Sequence, residues 1–220
     1  MTEKNKKYSL GKIVTLVLIL LIPGLLHFYL RQTGQNIYQE LPHLGSPNTD
    51  TTQVKPFQLI NQDSEVVNFP ERESITVVQF MHSDCQQFGD YMSLSMARVA
   101  KKFGEHPNVH LYSISLDSND TAAVLKEMAL HYGAAGTNWQ FLTGSEEETS
   151  RIAQQEFWVD GFRTSQGNNR IIHSPFFILL DSKQRIRGYY EFFTKDEVDR
   201  LIGEMILLVT ELSRENKVDL

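Results

Sequence analysis

Apolar and polar positions alternate with several different periods along this chain. Residues 13–30, IVTLVLILLIPGLLHFYL, are apolar on every side and carry no formal charge apart from what His27 can hold. As a helix they span roughly 27 Å, close to the hydrocarbon thickness of a bilayer. Pro23 and Gly24 are tolerated in such helices. Residues 31–56 are polar and dotted with Pro and Gly, which predicts a tether. FQLI and EVVNF flank the turn NQDS and predict a hairpin. SITVVQFM reads as a short buried strand. In 91–103, Leu94, Val99 and Phe103 recur among polar residues, with Met92 and Met96 four apart, which predicts a helix. VHLYSISL is the next strand. DTAAVLKEMALHY is a helix with Asp120 as N-cap and Gly133 at its end. After the brief strand WQFL, the helix SEEETSRIAQQEF opens on a capping box of Ser145 and Glu148. FFILLD and RIRGYY are strands around the turn SKQ. TKDEVDRLIGEMILLVTEL closes the chain as a helix with a second capping box, Thr194 and Glu197.

Strands alternating with helices, then a terminal hairpin and helix, predict an α/β domain with a central mixed sheet flanked by helices on both faces. The thioredoxin-like fold has this order. The expected division is a basic tail at 1–12, a transmembrane anchor at 13–30, a tether at 31–56, the thioredoxin-like domain at 57–213 and a tail at 214–220. No internal repeat is visible. Trp139 and Phe141 are expected in the core, Trp158 and Phe162 beside the loop before His173, and GFRTSQGNNR as a polar loop over the site mouth.

Charge sharpens the membrane reading. The first twelve residues sum to +3 through Lys4, Lys6, Lys7 and Lys12 against Glu3; with −6 overall, the rest of the chain carries −9. So acidic a body offers no basic patch for phosphates and argues against a nucleic-acid partner. The lysines form a positive-inside flank, which keeps the N-terminus in the cytoplasm and sends the rest across, to the periplasm or cell exterior in a bacterium. The rival reading is a cleaved signal peptide, but Arg31 follows the apolar run directly and no A-x-A-like site is present.

Candidate chemistry centres on VVQFMHSDCQQFGD, where a strand runs into Cys85, the only cysteine of the chain. In a thioredoxin-like fold this is the reactive position, at the mouth of the following helix, where the dipole favours a thiolate. A buried inert thiol is the plain alternative. Dithiol–disulfide cycling within one chain needs two thiols, so this protein is not a self-contained thiol oxidoreductase. A mixed disulfide with a partner stays open. Single-cysteine peroxidase chemistry needs an arginine beside the thiol, which MHSDCQQFG does not supply.

Several stretches in order resemble the Sco/SenC family of membrane-anchored copper proteins that serve assembly of cytochrome c oxidase. FQLINQDSEVVNF is similar to its entry hairpin and VVQFMHSDC to its strand into a C-P-x-x-C-P motif. SISLDSNDT is similar to its D-P-x-x-D-T segment and NWQFLTG to its W-x-F-L-T-G. IIHSPFFILLDSKQRIRGYY is similar to its H-S-x-x-F-x-L-x-D-x-x-G-R-I-R-G-x-Y. The resemblance covers about residues 57–209. It implies copper held by two cysteines and a downstream histidine. Here Cys85 matches the first cysteine and His173 the histidine, but Gly89 stands where the second cysteine belongs. Gln86 and Asp90 replace the two prolines, and DSNDT is one residue short.

Copper(I) favours thiolate and thioether donors and accepts imidazole. His82, three residues before the thiol, is the candidate third ligand, with Met92 or Met81 as alternatives; against these stand a solvated His82 and methionines that only pack. His173 is equally readable as a structural histidine. The implied role is a membrane-anchored, periplasm-facing protein in copper handling and oxidase assembly, with a respiratory oxidase subunit or a copper or thiol redox partner. The alternatives are a metal-free assembly factor acting by protein–protein contact and a single-thiol redox protein. Pro175, two residues after His173 and at the start of FFILLD, is expected to follow a cis bond and to turn His173 toward Cys85.

Overall fold

In a computed structural model of the chain, residues 10–33, 41–42, 44, 53–71, 73–85, 89–164 and 170–218 are described. The basic residues 1–9, Gln86 and most of the polar loop at 165–169 lie outside them. The chain divides into two units, with the break between residues 40 and 41.

The first unit contains α1, Leu10–Thr33, one helix through Pro23. Leu16, Leu18, Ile19, Leu20, Leu21 and Ile22 on it are all exposed. Among the described residues no helix is long and apolar enough to cross a membrane; side chains at positions 10, 13, 26–28 and 30–33 of α1 fall outside them.

The second unit follows the expected order with two additions. β1 (Phe57–Asn61) and β2 (Val66–Phe69) form the entry hairpin. β3 (Ile75–Met81) leads to α2 (Gly89–Phe103), β4 (Val109–Ser115) to α3 (Ala122–His131), and β5 (Trp139–Thr143) to α4 (Glu146–Arg151). α4 runs on as a wider π-turn over Ile152–Glu156, closed by the Phe157 amide on the Ile152 carbonyl. β6 (Gly161–Arg163) and β7 (Ile171–His173) make a two-stranded ribbon of their own. β8 (Phe176–Leu180), β9 (Ile186–Glu191) and α5 (Lys195–Val218) complete the unit.

Seven strands form one mixed sheet in the order β2-β1-β5-β4-β3-β8-β9. β3 lies in it between parallel β4 and antiparallel β8, and all seven of its residues are buried. A strand with two paired edges and two covered faces must be mostly apolar, as five of its seven residues are, and its buried Gln79 donates to Ser113 Oγ at 2.7 Å. Its side chains alternate between two cores. Ile75, Val77 and Met81 join Met92, Met96, Val99 and Phe103 of α2, Leu125 of α3 and Leu201 and Met205 of α5. Val78 and Phe80 join Phe57, Phe69, Ile152 and Phe157 on the opposite face. Trp139 and Phe141 lie in the first core, as expected, and the Trp139 indole N–H donates to Ser113 Oγ at 2.8 Å. Full burial of each such large apolar side chain contributes roughly 1.5–3 kcal/mol.

Part of the stretch read as a tether is bound to this sheet. Leu44 and Gln53 bridge to Ile186 and Arg185, and the buried Arg187 guanidinium donates to the Leu41 carbonyl at 2.7 Å.

The element ends differ from the sequence reading for local reasons. α2 starts at Gly89, two residues earlier, because the Gly89 amide already donates to the Cys85 carbonyl at 3.0 Å. Thr121, not Asp120, caps α3; Asp120 is engaged elsewhere, by two serines. Ser145 does cap α4, accepting from the Glu148 amide at 3.2 Å. At α5 the Glu197 amide bonds the Thr194 backbone carbonyl at 3.1 Å, and the helix runs on to Val218 through much of the expected tail.

Candidate metal centre

Cys85 lies at the C-terminal end of β3, where ligand sites of open α/β sheets concentrate. After Met81 the chain leaves the sheet as β4 ends beside it; the Leu116 amide bonds the Met81 carbonyl at 2.9 Å. A tight turn follows, with the Cys85 amide donating to the His82 carbonyl at 3.3 Å. This turn puts the side chains of His82 and Cys85 on one side.

His173 arrives from the opposite direction. It ends β7, paired with Gly161 of β6 in the separate ribbon. A Cβ on Gly161 would sit 2.5 Å from the Cβ of Ala153, so only glycine lets β6 lie this close to the π-turn. Beyond His173, Ser174 is locked twice: its amide donates to the Asp160 carbonyl at 2.9 Å, and its hydroxyl accepts from the Asp160 amide at 2.8 Å. This ribbon, and not a cis proline, aims the histidine. The cis bond expected before Pro175 is a correction: among the described residues only Phe69–Pro70 is cis. The Asp160 pairing already fixes the chain at Ser174, and Pro175 keeps its carbonyl for the Phe192 amide at 3.1 Å. Arg163, also on β6, joins the ribbon to Asp117 at 3.1 Å and to Glu146 at 2.9 Å.

The result is a compact cluster. Cys85 Sγ lies 3.3 Å from His173 Nε2. The rings of His82 and His173 meet edge to face with centroids 5.5 Å apart. One donor atom from each of His82, Cys85 and His173 lies within 4.8 Å of the others, and all three residues are half-buried. His173 Nδ1 faces the Ser174 carbonyl at 3.4 Å. A proton on Nδ1 serves that contact and leaves the Nε2 lone pair toward the sulfur, the second-sphere arrangement of a metal-ligating histidine. Burial lowers the His173 pKa, against a smaller opposing effect of the Ser174 carbonyl, and so favours the neutral imidazole that a metal ligand must be.

His82 Nδ1 is buried and has no hydrogen-bond partner among the described residues. An orphaned ring nitrogen beside a thiol and a second imidazole is costly in a metal-free protein and is relieved by a cation. The donor set of one thiolate and two imidazoles fits copper and equally zinc by softness. The residues present therefore fit a metal.

The sequence candidates divide cleanly. His82, Cys85 and His173 come together. Met81, Met92 and Met96 are buried in the first core, where their thioethers pack against apolar neighbours. A Cβ built on Gly89 would lie 3.3 Å from Cys85 Cβ, so position 89 still faces the thiol although it offers no donor.

Of two further residues at the site, Ser83 was given no role from sequence and Asp120 only that of a helix cap. Asp120, 1% exposed, accepts from the Ser83 amide at 2.9 Å, from the Ser83 hydroxyl, and from the Ser115 hydroxyl at 2.5 Å. Ser83 lies inside the turn that carries His82 and Cys85. The serine between two candidate ligands and the acidic segment at 117–120 were the available signals, but nothing in their spacing says that they meet.

Comparison with known proteins agrees with this fold. Residues 45–205 match the SCO1/SenC family model. The chain therefore belongs to the SCO1/SenC family. It is 27% identical over 157 residues to the SCO1 protein homolog of Bacillus subtilis, covering 70% of this chain and 81% of that one. Among solved structures it is similar to BsSco, described as a Sco-family cytochrome c oxidase assembly protein with a disulfide switch. That match has a TM-score of 0.62 and 25% identity, over 73% of this chain and 95% of that one. Copper-bound ScoI of Arabidopsis thaliana shares the fold with a TM-score of 0.57 at 22% identity, over 69% of this chain and 97% of that one.

Proposed function

We propose that this chain is a membrane-anchored, extracytoplasmic copper-handling protein that serves assembly of cytochrome c oxidase, with Cu(I) as cargo on Cys85, His173 and His82. The observation that carries the reading is the His82–Cys85–His173 cluster with its unpartnered His82 nitrogen. Family membership supports it, as does the copper found in the plant relative. Within this reading Cys85 supplies the soft anionic donor, His173 a neutral imidazole held by Ser174, and His82 the donor that stands in for the missing second thiol. Because the chain has one cysteine, it has no internal disulfide with which to change its redox state. The test is reconstitution of the full chain with Cu(I) under reducing conditions and competition against a chelator of known affinity. One copper per chain is expected in the wild type, with affinity falling at least about a hundredfold, roughly 2.7 kcal/mol, in Cys85→Ser. Equal copper retention by both proteins would reject the site.

The second reading is a family member without metal that works by protein contact, and Gly89 in place of a cysteine favours it. Absence of stoichiometric copper in the wild type would select it.

The anchor is part of the proposal. Its support is the apolar run at 13–30, the lysines before it, and the apolar side chains exposed around α1. Fused after Leu220, a reporter that works only outside the cytoplasm should be active, and a strictly cytoplasmic reporter silent. The reverse pattern would overturn the orientation.

A further inference from the structure

We infer that Asp120 is a positioning residue: through Ser83 it holds the His82–Cys85 turn in register with His173, and so sets the metal-binding geometry without touching the metal. The inference rests on the copper reading above. Asp120 follows β4 and immediately precedes the Thr121 cap of α3, so its backbone is fixed by two elements of the scaffold. Its own amide donates to the Asp117 carbonyl at 3.0 Å. Its carboxylate turns inward instead of capping α3. One oxygen accepts the Ser83 amide and the Ser115 hydroxyl, and the other accepts the Ser83 hydroxyl. Ser115 is the register partner of Met81, the last residue before the ligand turn. The carboxylate therefore joins the end of β4 to the turn leaving β3, with three donors on a buried anion.

Such charge-assisted bonds are about twice as strong as neutral ones and are directional. Ser83 has two of them, one through its backbone and one through its side chain, so both its position and its orientation are fixed. The adjacent His82 and the nearby Cys85 inherit that placement. Without the clamp, the turn would lose the bonds that tie it to the end of β4. A ligand set that must be fixed to within about 0.5 Å would then have to be ordered by the metal itself.

The test compares Ser83→Ala, Ser83→Thr and Asp120→Asn with the wild type in the full chain. Ser83→Ala removes the hydroxyl bond, and Ser83→Thr keeps it. Asp120→Asn keeps the shape and removes the charge. Cu(I) affinity should fall about 10- to 100-fold in Ser83→Ala and Asp120→Asn, the range found for residues behind a metal ligand, and stay within threefold of wild type in Ser83→Thr. In the metal-free protein, NMR contact between the Cys85 β-protons and the His173 ring should persist in the wild type and Ser83→Thr and weaken in the other two. A merely structural role would lower the unfolding midpoint and leave this contact and the affinity of the folded protein unchanged. Equal copper affinity in all four proteins would overturn the clamp and leave the copper reading intact. If the wild type binds copper no better than Cys85→Ser, the copper reading fails. The metal-free contact then decides the clamp alone, and its survival in Ser83→Ala would overturn it.

Discussion

Gly89→Cys should raise Cu(I) affinity of the reduced chain by at least about tenfold, roughly 1.4 kcal/mol, and should give the oxidised chain an internal disulfide that the wild type has no means to form. The geometry makes both outcomes follow from one substitution. The new Cβ would stand 3.3 Å from that of Cys85. Disulfides have Cβ atoms about 3.5–4.5 Å apart, so a shift of a few tenths of an ångström suffices. Gly89 does not use the left-handed backbone region that would strain a side chain, and it is the first residue of α2. In the reduced protein a second thiolate joins Cys85 and the two imidazoles, which suits the soft Cu(I) ion. Two readouts separate the parts of the expectation: chelator competition under reducing conditions, and a count of titratable thiols after equilibration with oxidised glutathione. Two thiols still titratable, together with unchanged affinity, would mean that position 89 does not face the cluster in solution. The copper reading would then lose its link to the two-cysteine pattern of the family.

Much of this architecture was legible from periodicity, because most elements bury one face or both. The seven buried residues of β3, five of them apolar, and the alternating burial of β1 are direct traces of a central strand and a half-covered one. The β6–β7 ribbon was not legible. Its strands are three residues each, and Ile172 is exposed while Phe162 and Ile171 are only half-buried, so they carry no period. Yet this ribbon aims His173, and the sequence reading assigned that task to a cis proline. Cys85 was found as the lone cysteine where a strand runs into a helix, His173 by resemblance to a motif, and His82 by its distance of three residues from the thiol. Asp120 looked like a helix cap because Asp before a helix usually is one. The competing demand of Ser83 and Ser115 for the same carboxylate is a tertiary fact, visible only once β3 and β4 are side by side.

His82→Leu should separate binding from stability in opposite directions. His82 carries a buried ring nitrogen with no partner among the described residues, and leaving such a group unsatisfied costs about 1–3 kcal/mol. Leucine has similar bulk and no polar atom, so the metal-free protein should unfold at an equal or higher denaturant concentration. Cu(I) affinity should meanwhile fall at least about tenfold, because the cluster would keep only Cys85 and His173. His131→Leu, at the exposed C-terminal end of α3, serves as the control and should leave copper affinity unchanged. Stability gained on losing a side chain, together with function lost, is the signature of a residue kept for its ligand and not for the fold. A metal-free His82→Leu protein that is less stable would instead make His82 a packing residue whose ring contact with His173 supports the native state. Unchanged copper affinity would reduce the centre to the Cys85–His173 pair, 3.3 Å apart, and would leave the place of the absent second thiolate unfilled by any residue of the cluster.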